Sequence, residues 1–389
     1  MTSTQPAAAD ARPIAPLTYT GFGLRLFQAA AGAERGNLFV SPVSAGLALA
    51  MAFNAAAGQA RTRMAWVLGL GELPPDAVNE ASRALMEALA DAGVELSIAN
   101  SLWVRSGHVL DPAFVARARE SFAAHVATAD FDSADAVAEI NRWVSEATRG
   151  HIPRIAAQLK PDVFALLLNA VYFKGRWTAP FDPAHTRDLP FHTRGRGVIQ
   201  HPAMRRRGHF GHVAAEGFAV LRLPYGDDGR FALYALLPDS GVALGDVVLG
   251  LTAERLAEVF ARVDDVEVRV TFPRFKLRGT LDLEAPLSTL GMGAAFQPGL
   301  HAFSNLYPPE APLVDVWIDQ ALQQTFVEVN EEGTEAAALT EVAMAGRGLS
   351  VPQPVEFNVD RPFLALIRDD RTGALLFIGQ VADPSAGEA

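Results

Sequence analysis

Serines and histidines are plentiful in the 389-residue chain, yet few stand in spacings that do chemistry. No G-x-S-x-G elbow presents a nucleophile, and no H-E-x-x-H pair offers a zinc site. His201, His209 and His212 cluster, but a loop or strand carrying solvated histidines accounts for them without a metal. There is no cysteine, which excludes disulfides, thiol catalysis and thiolate metal ligation. No glycine-rich phosphate loop of either common type occurs. Arg205-Arg206-Arg207 reads as a solvated edge. No metal or cofactor is expected, and the chain is not expected to be an enzyme. The remaining conspicuous residue is Arg347, held between Gly346 and Gly348. By itself such an arginine is a solubilising charge.

The stretch that carries it, EVNEEGTEAAALTEVAMAGRGLSVPQP from Glu328 to Pro354, has two characters. With strand periodicity, Thr334, Ala336, Ala338, Thr340, Val342 and Met344 fall on one side, small or apolar and uncharged. Glu335, Ala337, Leu339, Glu341 and Ala343 fall on the other, which takes every charge. Gly333, the alanine run and the closing Gly and Pro residues equally suit an exposed loop. The segment is competent for both states. A solvated connector would have the same composition, but connectors of this length inside a compact domain are uncommon.

The elements that must position this stretch are legible from periodicity. Helices are expected at Tyr19–Ala31, Gln59–Leu68, Pro75–Ala92, Pro112–Ala124 and Ala134–Thr148. Leu38 to Ala57 holds a buried helix that starts with Ser41 as cap and Pro42 at its first position. Ser41, Pro42, Ser44 and Asn54 argue against a membrane span there. Leu96–Val104 alternates as a strand, and Val163–Phe173 is a continuous apolar run of the kind covered on both faces. From about Leu189 the pattern turns to strands, at Val213–Leu223, Phe231–Leu237, Val266–Phe272 and Leu313–Val329. Helical stretches interrupt them near Thr252–Val263 and Leu287–Leu290. Helices first and strands later, without regular βαβ alternation, predict an α+β fold.

Half of the residues are hydrophobic, enough for a large core. No linker-like break occurs between about residue 20 and residue 383, so a single domain is expected over 17–384, with tails at 1–16 and 385–389. The net charge of −11 and pI near 5.3 argue against a nucleic-acid partner. No membrane partner is expected, and the chain is expected to be monomeric. The first residues, MTSTQPAAADARPIAP, show no secretory signal, which favours the cytoplasm, or the extracellular space if a leader is missing from this sequence.

Several of these stretches resemble the serpin family. VEVNEEGTEAAALT looks like the hinge of a serpin reactive-centre loop, and FNVDRPFLALIRDDRTGALLFIGQVADP (Phe357 to Pro384) looks like the family's carboxy-terminal signature. NLFVSPVS (Asn37 to Ser44) resembles the region where the central sheet opens, and INRWVSEATRGHI (Ile140 to Ile152) the helix lying across that sheet. LNAVYFKGRWTAPF (Leu168 to Phe181) resembles a central strand followed by the breach with Trp177. LRLPYGD (Leu221 to Asp227) and VTFPRFKL (Val270 to Leu277) are similar to further family signatures. The likeness runs from about residue 18 to residue 384. Around AGR-GL and NVDRPFLALIRD it is especially similar to antithrombin.

The resemblance implies a serpin fold, with helices around a large central mixed sheet, smaller sheets, and an exposed loop over about 333–354. It implies a hinge at Glu331, Gly333, Thr334, Ala336, Ala337 and Ala338, and a sheet-opening region of Ser41, Ser44 and Asn169. Counting seventeen positions with Glu331 as the first lands on Arg347, so Arg347-Gly348 becomes the reactive bond offered to a serine protease of trypsin-like or subtilisin-type preference. After cleavage the loop would enter the sheet, fourteen residues spanning roughly 46 Å, and trap the protease covalently. One departure stands at Gln323, where the family usually has histidine; glutamine both donates and accepts, so the network can persist with altered strength. Asp76, Glu80, Glu87 and Asp91 against Arg83 alone make heparin activation unexpected. A non-inhibitory scaffold is the alternative, which charged or bulky hinge residues would favour.

Overall fold

The structure, a computed structural model, describes residues 17–33, 36–90, 93–155, 163–333 and 353–386. Thr334, Ala336, Ala337, Ala338, Arg347 and Gly348 lie outside the described residues.

The first part of the chain runs α1 (Thr20–Ala33), β1 (Leu38–Val40), α2 (Pro42–Phe53), α3 (Gly58–Leu68) and α4 (Pro75–Ala90). It continues through β2 (Glu95–Arg105), α5 (Pro112–Phe122), β3 (His125–Ala129), α6 (Ala134–Ala147) and β4 (Ala165–Lys174). Strands then dominate: β5 (Arg187–Thr193), β6 (Gly197–Ala215), β7 (Phe218–Tyr225) and β8 (Phe231–Pro238). After α7 (Leu244–Leu249) and α8 (Ala253–Phe260) come β9 (Asp264–Pro273), β10 (Phe275–Asp282) and α9 (Glu284–Leu287). The remainder is β11 (Gln320–Val329), β12 (Val355–Asn358), β13 (Phe363–Asp369) and β14 (Leu375–Val381).

Two sheets organise the described residues. Nine strands form one, along the path β1-β14-β13-β8-β7-β6-β9-β12 with β5 joined to β6. The other has five, in the order β10-β11-β4-β2-β3. In this second sheet β11 and β4 run parallel, in register from Gln320 opposite Leu166 to Phe326 opposite Tyr172. β10 is antiparallel to β11, and β2 is antiparallel to β4.

α2 lies beneath the five-stranded sheet. Ser41 caps it, its Oγ accepting from the Ser44 N–H at 3.3 Å, and Pro42 opens it, as the sequence leads one to expect. All twelve of its residues are buried. Small residues are required at this depth: a Cβ on Gly46 would meet the Tyr19 ring at 2.3 Å. On the opposite face of the sheet, α6 presents Ala136, Ile140 and Val144 to Leu166, Leu168, Ala170 and Leu322. β4 is therefore covered on both sides, which is why its sequence is a continuous apolar run.

Two expectations are corrected. Val213–Leu223 is not one strand but the meeting of β6 and β7, with Ala215 opposite Phe218 across a two-residue turn at Glu216-Gly217. Gly217 takes φ 84, the left-handed angle such a turn needs. Leu313–Val329 is a strand only from Gln320 onward. Upstream, the Asp315 carboxylate accepts from the Gly299 and His301 N–H groups at 2.5 and 2.9 Å, which ties that segment to a loop and not to a ladder. β3, β5 and β10, short or weakly alternating, carry too little periodicity to be read from sequence. No helix among the described residues is long and apolar enough to cross a membrane.

Candidate functional site: a buried seam and its hinge

Ser41, Ser44, Asn169 and Gln323 converge at the middle of the β4–β11 seam. Gln323 and Asn169 are register partners on the two parallel strands. The Gln323 Nε2 donates to Asn169 Oδ1 at 2.6 Å and to the Ser41 carbonyl at 3.1 Å, while its Oε1 accepts from the Ser41 N–H at 2.8 Å. The Asn169 Nδ2 donates to Ser44 Oγ at 2.5 Å and to the Ser44 carbonyl at 3.1 Å. Each of these four residues is 0% exposed. The amide thus staples two strands to the first turn of α2, and buried polar groups can sit here because partners meet them.

Asn100 on β2 completes the network and was not anticipated. It lies opposite Asn169 and its Oδ1 accepts from Asn169 Nδ2 at 2.6 Å. The available signal was an amide inside the alternating stretch Leu96–Val104.

The expected hinge residues Glu331 and Gly333 lie in a tight turn at the end of β11. Asn330 and Gly333 pair across a two-residue turn, with the Asn330 N–H donating to the Gly333 carbonyl at 3.0 Å. Gly333 adopts φ 114 and packs against the backbone just after β4; a Cβ there would meet the Gly175 carbonyl oxygen at 2.2 Å and the Trp177 nitrogen at 2.6 Å. Only glycine accepts both the angle and the approach. Trp177 anchors the turn: its N–H donates to the Glu332 carbonyl at 3.0 Å and its indole Nε1 to the Asn330 carbonyl at 2.9 Å. Its ring stacks on Tyr225 at 4.3 Å, and burial pushes the Tyr225 hydroxyl well above its ordinary pKa.

Glu331 turns inward and is 7% exposed. The Thr186 hydroxyl donates to its Oε1 at 2.6 Å, and Arg274 Nε stands 3.6 Å from its Oε2. The Phe181 N–H donates to the Glu331 carbonyl at 2.7 Å. Neither Thr186 nor Arg274 was legible as part of the site, since nothing local in sequence links them to Glu331.

The three histidines do not assemble. His201 is buried, its Nε2 2.6 Å from the Arg274 carbonyl, which corrects its expected solvated position. His209 is exposed with Nδ1 3.3 Å from Asp265 Oδ2, and burial lowers the pKa of His212. No group of three or more metal-binding side chains occurs among the described residues.

The family described as Serpin (serine protease inhibitor) matches residues 18–384. A putative serpin-Z5 of Oryza sativa subsp. japonica is 33% identical over 390 residues, covering 92% of this chain and 87% of that protein. Serpin B9 of Homo sapiens is 33% identical over 362 residues, covering 90% and 93%. A leukocyte elastase inhibitor of Xenopus laevis is 31% identical, covering 90% and 93%. Among solved structures, the native thermophilic serpin tengpin superposes with a TM-score of 0.86 at 26% identity, covering 98% of this chain and 96% of that one. Human thyroxine-binding globulin superposes at 0.85 with 25% identity, covering 95% and 98%.

Proposed function

The chain belongs to the serpin family, and from that premise we propose that it inhibits trypsin-like serine proteases as a suicide substrate cleaved at Arg347-Gly348. The protease serine attacks the Arg347 carbonyl carbon, an ester forms, and the Gly348 nitrogen leaves as a free amine. The released segment then folds back from Gly333 into the β4–β11 seam before water can hydrolyse the ester, and the protease is carried with it. The basic side chain suits a primary pocket with a buried acid, and the likeness to antithrombin around this bond points the same way.

The observation that carries the reading is the parallel β4–β11 pair ending in the Gly333 turn. A strand returning from a tight turn is antiparallel to β11 and, because β4 is parallel to β11, antiparallel to β4 as well. It replaces one slanted parallel ladder by two antiparallel ones, a gain in pairing on both sides. Extending the Asn330–Gly333 pairing inward sets Thr334 opposite Val329, Ala336 opposite Val327, Ala338 opposite Thr325 and Thr340 opposite Gln323. Those four β11 residues are 0–2% exposed, so the uncharged side of the segment would meet the core. Glu335 and Glu341 would fall on the other side.

Incubation with trypsin followed by a denaturing gel tests the reading. An adduct that survives SDS is expected, and Arg347→Ala is expected to abolish it. Clipping without an adduct would favour a non-inhibitory binding protein, the reading that the likeness to thyroxine-binding globulin supports.

A further inference from the structure

Above the seam, one side chain touches both of the strands that insertion would part. The His151 ring lies on Tyr172 of β4 with centroids 3.8 Å apart and planes 7° apart, and it stands 6.3 Å from Phe326 of β11. Tyr172 and Phe326 are register partners, 5.9 Å apart and buried on the α6 face of the sheet. From β10, Arg278 and Lys276 cover Phe326 at 5.2 and 5.6 Å, and Arg278 Nη2 donates to the His151 carbonyl at 3.2 Å.

His151 is firmly held. Thr148 caps the end of α6, its hydroxyl donating to the Val144 carbonyl at 2.7 Å and accepting from the Ile152 N–H at 3.1 Å. Gly150, at φ 81, donates to the Ser145 carbonyl at 2.7 Å, and the His151 N–H donates to Thr148 at 3.0 Å. Ile152 is fully buried just beyond. The backbone that carries the imidazole is thus tied to the end of α6, and the ring lies over the join between the two strands.

We propose that His151, Tyr172 and Phe326 form an aromatic clasp that sets the rate at which the β4–β11 seam opens. This rests on the insertion reading for its use, but not for its existence. A strand placed between β4 and β11 moves Tyr172 and Phe326 apart by about 4.8 Å, one inter-strand spacing. His151 cannot then stay against both rings, and its bond from Arg278 must break or the α6 end must lift. If the pairing at Gly333 were extended by insertion, Ala337 would come opposite Phe326, and its methyl is small enough to pass beneath the ring. His151 is a positioning residue: it touches neither the protease nor the reactive bond.

The test compares the full-length protein with His151→Ala and His151→Phe. Amide hydrogen exchange is read for β4 and β11 residues near the clasp, with β13 and β14 amides as an internal control. Loss of the stack should speed exchange at the seam by about three- to tenfold, the range expected for one aromatic pair, and leave β13 and β14 unchanged. Phenylalanine, which can stack, should restore the slow exchange. Under protease, His151→Ala should also lower the number of inhibitor molecules consumed per enzyme trapped. Equal seam exchange in all three proteins, or acceleration spread equally over both sheets, would overturn the clasp. If exchange responds as expected but wild type forms no adduct with trypsin, the clasp stands and the inhibitory reading fails.

Discussion

Gln323 donates from Nε2 to the Asn169 side-chain Oδ1 at 2.6 Å across the parallel pair β11–β4, so a buried side-chain hydrogen bond reinforces the ladder along the line where the sheet would divide. The same glutamine holds both backbone groups of Ser41. A neutral amide does this at any pH, which makes the seam insensitive to acid at that position.

Gln323→His should introduce a pH dependence that the wild type lacks there. A neutral imidazole can accept from Ser41 while donating to Asn169; a protonated one cannot accept, and burial disfavours its charge. The folded pKa would fall below the ordinary value near 6.5, so stability would be full above that value and lost as pH falls below it. Thermal unfolding of the uncleaved protein between pH 5 and 8 checks this, and parallel curves for variant and wild type would refute it.

Gly333→Ala should lower the stability of the uncleaved protein by about 2–3 kcal/mol, because the residue combines a left-handed φ with a backbone oxygen where the methyl would go. Urea unfolding measures the loss. Adduct formation should slow as well if this turn is the pivot of insertion, as proposed.

Thr334→Arg should convert the protein from inhibitor to substrate. In the proposed insertion, residue 334 would come opposite Val329, which is 2% exposed, so a cation would have to enter the core. Counting trapped against cleaved molecules after reaction with trypsin decides it; full trapping by the variant would rule out insertion along this register.

Away from the seam, Asp369 on β13 should govern acid stability. Burial raises its pKa, but bonds from Arg230, at 2.8 and 2.7 Å, from Thr372 and from the Arg371 N–H outweigh this and hold it below the usual carboxylate range. A lowered folded pKa means stability that is present above the ordinary carboxylate value near 3.9 and lost as pH falls through the folded one. Asp369→Asn leaves Arg230 buried without its counter-charge and should cost about 3–5 kcal/mol at neutral pH, while flattening the profile below pH 4. An unfolding series from pH 2 to 7 separates the two effects.

Local pattern alone determined a good deal of this protein. The cap at Ser41 and Pro42, the small residues of α2, the apolar run of β4 and the helical periods of α1 to α6 each follow from neighbours within a few positions, where side-chain spacing reports directly on which face is wet. The split of residues 334–344 into charged and uncharged sides is of the same kind. Tertiary structure decided what local pattern could not. Ser41 meets Gln323 from 282 positions away, Thr186 finds Glu331 from 145, and His151 lies over two strands that are themselves far apart in the chain. Such contacts depend on which strands pair and in which direction, and no spacing along one strand encodes that β4 and β11 run parallel. That direction is what would let a strand inserted between them pair antiparallel with both.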